Sequence, residues 1–204
     1  SSPQRLAMVS DLAGELNGLA AQVRIAKQGL RSNVVLIEHG WPLIDVPPDL
    51  PIEPALTLAI TRQESEFDPT ARSSANAQGL MQLLPTTARQ VADKNLIGFG
   101  SDTLLDPTKN MTLGSLYLGQ IIRGFDGSYI LGIASYNAGP ANVRKWIAKN
   151  GAPLKNPEAA IDWIEAIPFA ETRNYVQRVL ENTQVFRARM NPDTPIGLRE
   201  DLSR

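Results

Sequence analysis

Proline placement and apolar spacing together leave this chain one fold class. Asp106, Gly139 and Asn156 stand directly before Pro107, Pro140 and Pro157, so a capping residue precedes a proline at the first helical position. Further helices are expected to open near Pro54 and Pro85. After each start, apolar residues recur at steps of three and four, the interval of one helix face. No run alternates apolar and polar residues long enough for a half-buried strand, and the Val/Ile/Thr-rich stretches are short. The expected fold is all-α.

The first thirty residues follow the same rule. Val9, Leu12, Leu16, Leu19, Val23, Ala26 and Leu30 alternate steps of three and four, which predicts a helix or a helical hairpin broken near Gly14 and Gly18. The repeat is too short for a sustained coiled coil and reads as a packed helical pair. The proline-rich stretch "IDVPPDLPIEP" then interrupts it. We therefore expect a helical linker segment over residues 1–48, a main domain over 49–190 and a C-terminal tail over 191–204.

Composition narrows function by exclusion. Twenty basic and twenty-one acidic residues among 204 give a formal net charge of −1, without the basic excess that draws a protein onto nucleic acid. There is no cysteine, hence no thiol nucleophile, and a single histidine, His39, leaves no histidine-rich metal site. No apolar run approaches the roughly 20 residues of a membrane span. The opening "SSPQRLAMVS" has neither initiator Met nor apolar signal core and reads as a mature or excised fragment.

Two glutamates in "RQESEF" are separated by helical geometry. With Leu56, Ala59, Ile60 and Phe67 as the apolar face, Glu64 falls four residues after Ile60 and three before Phe67, at the core edge. Glu66 falls on the other side, four residues after Arg62, as a solvated charge with a weak ion-pair partner. A carboxyl on an apolar flank is costly unless neutral or paired, and burial moves such a group toward general-acid duty. A carboxyl satisfied by a buried hydrogen bond explains Glu64 equally well on this evidence alone. Trp41, Trp146 and Trp163 are read as core aromatics rather than sugar platforms, and His39 as a surface or packing residue.

Downstream, "GLMQLLPTTA", "SYNAGPANVRKW" and "IPFAETRNYV" follow "RQES" in order. Together these four stretches, over about residues 50 to 186, resemble the motifs of the soluble lytic transglycosylases, lysozyme-like enzymes that cleave bacterial peptidoglycan. The resemblance implies a goose-type/SLT lysozyme-like helical domain, glycan strands as substrate, a periplasmic location, no cofactor, and an α-superhelical domain upstream in the full-length protein. It places the single catalytic glutamate at Glu64 and substrate-binding residues at Ser73, Gly79, Met81, Gln82, Tyr136, Asn137, Glu171 and Tyr175, with Leu80 in the groove wall beside Gly79, Met81 and Gln82. Ser135 departs from the alanine that many members carry before the tyrosine.

Most glycosidases use two carboxylates. Here Asp68 reads as a helix-exit cap and Glu171 as a groove residue, so no second catalytic acid is evident. The family's reaction needs one: Glu64 protonates the oxygen between N-acetylmuramic acid and N-acetylglucosamine, then takes a proton from the muramic acid C6 hydroxyl, which closes a 1,6-anhydro ring. A hydrolytic lysozyme-like muramidase and a noncatalytic peptidoglycan-binding module are the alternatives.

Overall fold

The computed structural model describes residues 2–153 and 156–204. Among these residues it contains eleven α-helices, one 3₁₀ turn at Thr103–Leu105, and no β-strand beyond isolated bridges of Gln78 with Arg72 and Leu83. The all-α expectation holds. The helices are α1 (Pro3–Asn17), α2 (Leu19–Leu30), α3 (Ile37–Gly40), α4 (Pro54–Ser65), α5 (Pro85–Lys94), α6 (Pro107–Gly124), α7 (Tyr129–Ala138), α8 (Pro140–Asn150), α9 (Pro157–Glu165), α10 (Ala170–Met190) and α11 (Leu198–Leu202).

Every proline singled out in the sequence opens a helix, because its fixed φ suits the first turn and its missing N–H would have no partner there. The capping residues act as expected. Asp106 Oδ1 accepts from the Lys109 N–H at 3.0 Å and Asn156 Oδ1 from that of Ala159 at 2.8 Å. The N-terminal hairpin breaks at Gly18, whose φ of 81° is left-handed, while Gly14 stays inside α1.

The chain forms two compact units. One comprises residues up to Pro48 together with Ile60–Gly114. Its core includes Val23 and Ala26 of α2, Trp41, Ile60, Met81 and Val91. His39 is not a bare surface residue: its imidazole bonds Asp11 at 2.8 Å, tying α3 to α1.

The other unit comprises Asp49–Ala59 and Ser115–Arg204. Its centre is α7, buried from Tyr129 through Ser135 on every face, as a helix apolar all round must be. Gly132 makes the packing possible, since a Cβ there would lie 2.4 Å from Ile122 Cγ1. An ion cluster closes this unit. Arg187 on α10 donates to both carboxylate oxygens of Glu53, at 2.8 and 2.5 Å, and to both of the fully buried Asp201, at 2.7 and 3.0 Å. The Tyr129 hydroxyl adds a 3.0 Å bond to Glu53, and Gln184 donates to Asp201 at 2.8 Å. The segment after α10 is thereby fastened through α11.

Candidate functional site

The residues singled out in the sequence divide between the two units: Glu64, Ser73, Gly79, Met81 and Gln82 in the first, and Tyr136, Asn137, Glu171 and Tyr175 in the second.

Glu64 is the penultimate residue of α4 and half-buried. The helix is buried on more than one face, for residues 55–62 are all buried, and Glu64 emerges where that burial ends. Next to it Ser65 is buried, and its hydroxyl donates to the Leu80 carbonyl at 2.7 Å, which pins the helix end to the following loop.

That loop is organised by Asn110, a fully buried residue on α6. Its Oδ1 accepts from the Met81 N–H at 2.8 Å, and its Nδ2 donates to the carbonyls of Gln78 and Leu104, each at 2.9 Å. One side-chain amide thus satisfies three backbone groups that a loop would otherwise leave buried and unpaired. Gly79 is required there: its φ is +76°, and a Cβ would stand 2.1 Å from the Leu104 carbonyl oxygen. Met81 is fully buried, and a Cβ on Gly114 would lie 2.5 Å from its sulfur, so its side chain supports the loop from beneath. Gln82, with φ of 47°, is half-buried and donates to the carbonyls of Ala71 and Gly79 at 3.0 and 2.9 Å. Ser73 is exposed, its hydroxyl accepting from the Ala77 N–H at 3.0 Å.

Glu66 requires a correction. The spacing reading makes it a solvated charge paired with Arg62, but α4 ends at Ser65, and Glu66 and Phe67 follow with φ of 55° and 68°. Helical spacing no longer applies beyond that point. Glu66 instead accepts from Arg24 Nε at 2.9 Å and from Lys27, both on α2. Burial alone pushes its carboxyl up, yet the bonded Lys27 and Arg24 hold it below the usual carboxylate range. Arg62 is buried, with its guanidinium 4.2 Å from the Trp41 ring centroid and its Nε donating to the Gly40 carbonyl. Asp68 Oδ1 accepts from the Thr70 N–H and hydroxyl at 2.9 and 2.7 Å, which holds its carboxyl below its ordinary value and closes the turn after α4.

In the second unit, Tyr136 and Asn137 lie half-buried in the last turn of α7. The Tyr136 ring is 5.6 Å from that of Tyr117, tilted by 53°, and burial pushes the Tyr117 hydroxyl up. Asn137 Oδ1 accepts from the Thr172 hydroxyl at 2.6 Å, which fixes the end of α7 against the start of α10. Tyr175 is buried one turn further along α10, and Glu171 is exposed. The structure brings Asn137 to Thr172, the residue beside Glu171. Trp146 meets Phe169 edge-on at 5.3 Å and Trp163 donates to the Gly151 carbonyl at 3.0 Å, so both tryptophans, like Trp41, serve packing.

Comparison with known proteins identifies the family. The family model described as the transglycosylase SLT domain matches residues 50–158. This chain belongs to that family. A second model, the soluble lytic transglycosylase helical domain, matches residues 166–194. The soluble lytic murein transglycosylase of Escherichia coli K12 is 37% identical over 138 residues, covering 67% of this chain and 21% of that protein. The crystal structure of the 70-kDa soluble lytic transglycosylase of E. coli superposes with a TM-score of 0.81 at 30% identity, over 100% of this chain and 32% of that one. An inactive variant of the lytic transglycosylase Slt of Pseudomonas aeruginosa, with glutamine in place of a glutamate, gives a TM-score of 0.80 at 32% identity, over 96% and 32%. The chain thus spans between a fifth and a third of the length of these proteins. Its fold is the lysozyme-like helical fold of the SLT family.

Sequence reasoning missed Asn110, Thr172 and Tyr117. Asn110 carried a usable signal, an amide four residues into a proline-led helix whose next residues, Met111 and Leu113, are apolar. Thr172 had no signal beyond its motif. No described helix is long and apolar enough to cross a membrane.

Proposed function

We propose that this chain is the catalytic part of a peptidoglycan lytic transglycosylase. It cleaves the β-1,4 bond between N-acetylmuramic acid and N-acetylglucosamine without water and leaves 1,6-anhydro-muramic acid ends. The observation that carries the reading is Glu64, a half-buried carboxylic acid at the end of a buried helix inside the region that matches the SLT domain.

Glu64 first donates its proton to the glycosidic oxygen, the bond from C1 to that oxygen breaks, and N-acetylglucosamine leaves as the alcohol while the muramic acid acetamido oxygen stabilises the positive charge at C1. Its carboxylate then accepts the proton of the muramic acid C6 hydroxyl, whose oxygen forms the new bond to C1. The nucleophile is part of the substrate, so no positioned water is needed, and the tether supplies the entropic advantage of an intramolecular reaction. Tyr136, Asn137, Gln82, Ser73 and Glu171 contact the glycan, whereas Met81 and Tyr175, expected from the sequence as substrate contacts, are buried at 0% and 5% exposure and instead support the loop and α10, and Gly79 gives the loop its close approach to Leu104 and Asn110. The full-length protein carries an α-superhelical domain upstream and works in the periplasm. Residues 1–48 form its helical linker, 49–190 its catalytic domain and 191–204 its C-terminal segment.

The test is Glu64→Gln. Loss of general acid–base catalysis alone lowers the rate by about 10² to 10⁴, while folding and glycan binding persist, since a neutral amide costs no more to bury than the acid. Mass spectrometry of digested peptidoglycan reads the product. Reducing muramic acid ends, heavier by one water, would make the chain a muramidase, and binding without cleavage would make it a glycan-binding module.

A further inference from the structure

The turn that follows Glu64 is held by residues far earlier in the chain. Immediately after α4, Glu66 and Phe67 both adopt left-handed backbone conformations, and neither is glycine. Two such residues in succession persist only where their surroundings over-determine them. Phe67 is held by burial, at 3% exposure. Glu66 is held by charge: one carboxylate oxygen accepts from Arg24 and the other from Lys27, residues one turn apart on α2. Arg24 also lies 3.7 Å from Asp68, the next acid along.

We propose that Arg24 and Lys27 are positioning residues for the reaction. By clamping Glu66 from two sides they fix the left-handed turn, and with it the direction in which the Glu64 carboxyl leaves the end of α4. The proposal rests on the reading of Glu64 as the acid–base group. Ser65, bonded to the Leu80 carbonyl, keeps α4 attached to the following loop without the clamp. Loss of the clamp therefore changes the aim of Glu64 more than the fold. Arg62, two residues before Glu64, is anchored in the same way, between the Trp41 ring and the Gly40 carbonyl. The N-terminal helices are thus part of the catalytic apparatus, and a displacement of α2 is transmitted to the acid two residues from the clamp.

The test uses the 204-residue chain with Arg24→Met and Lys27→Met, singly and together, and with Glu66→Gln. Anhydromuropeptide release is measured at limiting and saturating peptidoglycan, beside the melting temperature. The double variant is expected to lose about 10- to 100-fold in kcat, the scale of a misplaced catalytic group. KM should stay within about twofold. Restoring the pair in reverse, Lys27→Glu with Glu66→Lys, should recover activity above either single reversal. Unchanged kcat, a loss matched by the unfolded fraction at the assay temperature, or a reversed pair no better than its parts would each overturn the proposal. Should the parent chain release reducing ends, the transglycosylase reading falls, and the clamp is still judged from kcat for that product. A parent chain that cleaves nothing overturns both.

Discussion

Glu53, one residue before α4, and Glu66, one residue after it, are both bonded to basic side chains, but the two clamps are built from different materials. Glu53 meets the planar fork of Arg187, which is 14% exposed and shared with the fully buried Asp201. Glu66 meets Arg24 and Lys27, whose side chains are 57% and 38% exposed. A buried guanidinium that loses a partner leaves an uncompensated charge in low dielectric, whereas an exposed ammonium is rehydrated. The first clamp therefore secures the fold and the second secures a local direction of the chain.

Arg187→Met should give the largest effect, because it leaves the fully buried Asp201 with only the partly exposed Arg204, 3.5 Å away, as a cation, and Glu53 without its guanidinium. Unfolding free energy should fall by roughly 3 to 5 kcal/mol in urea titration, and a loss under about 1 kcal/mol would erase the contrast. Arg187→Lys should restore little, since an ammonium cannot bond two carboxylates in bidentate fashion.

Tyr129→Phe comes next. It removes a 3.0 Å bond to the Glu53 carboxylate and should cost about 1.5 to 3 kcal/mol, the scale of a hydrogen bond to a charged group. Burial and the nearby Glu53 charge push the Tyr129 hydroxyl up to about 12, so spectrophotometric titration should find Tyr129, along with the half-buried Tyr117, ionising above the ordinary value of about 10.

Acid should then distinguish the clamps within one molecule. Burial raises the Glu53 carboxyl, but Arg187 outweighs it, so its pKa lies below the unfolded value, as does that of Glu66. Each contributes stability that is fully present above the unfolded carboxylate value of about 4.3 and is lost as pH falls through the lower folded value. Urea midpoints should decline as pH falls below about 5, and Arg187→Met should flatten that decline more than Lys27→Met. Equal slopes in the two variants would mean that Glu53 and Glu66 are held alike.

Lys27→Met has the smallest expected effect on stability, under about 1 kcal/mol. At about 1 M salt, where the screening length is near 3 Å, its difference from the parent should vanish, while that of Arg187→Met persists. A difference that survives high salt would show that Lys27 acts by packing.

Local chemistry made much of this molecule legible. Proline at the first helical position and a cap before it are decided within four residues, so the starts of α6, α8 and α9 could be read directly. Glu64 was legible for the same reason, since its place at the core edge follows from Ile60 one turn before it. The partners of Glu66 were not, because Arg24 and Lys27 lie 42 and 39 residues away. Helical spacing offered Arg62 instead, and nothing nearby announces that two non-glycine residues will turn left-handed after Ser65. Asn110 was hidden differently, because its three partners belong to a loop and a 3₁₀ turn that periodicity does not describe.

The distance along the chain between Glu53 and Arg187, 134 residues, also sets an order in time. At about 5 to 20 residues per second of synthesis, Glu53 waits roughly 7 to 27 s for its arginine. When Glu66 is made, Arg24 and Lys27 already exist. The turn beside Glu64 can close early on the ribosome, whereas the bonds that secure the start of α4 form only after Arg187, 134 residues later, has been translated.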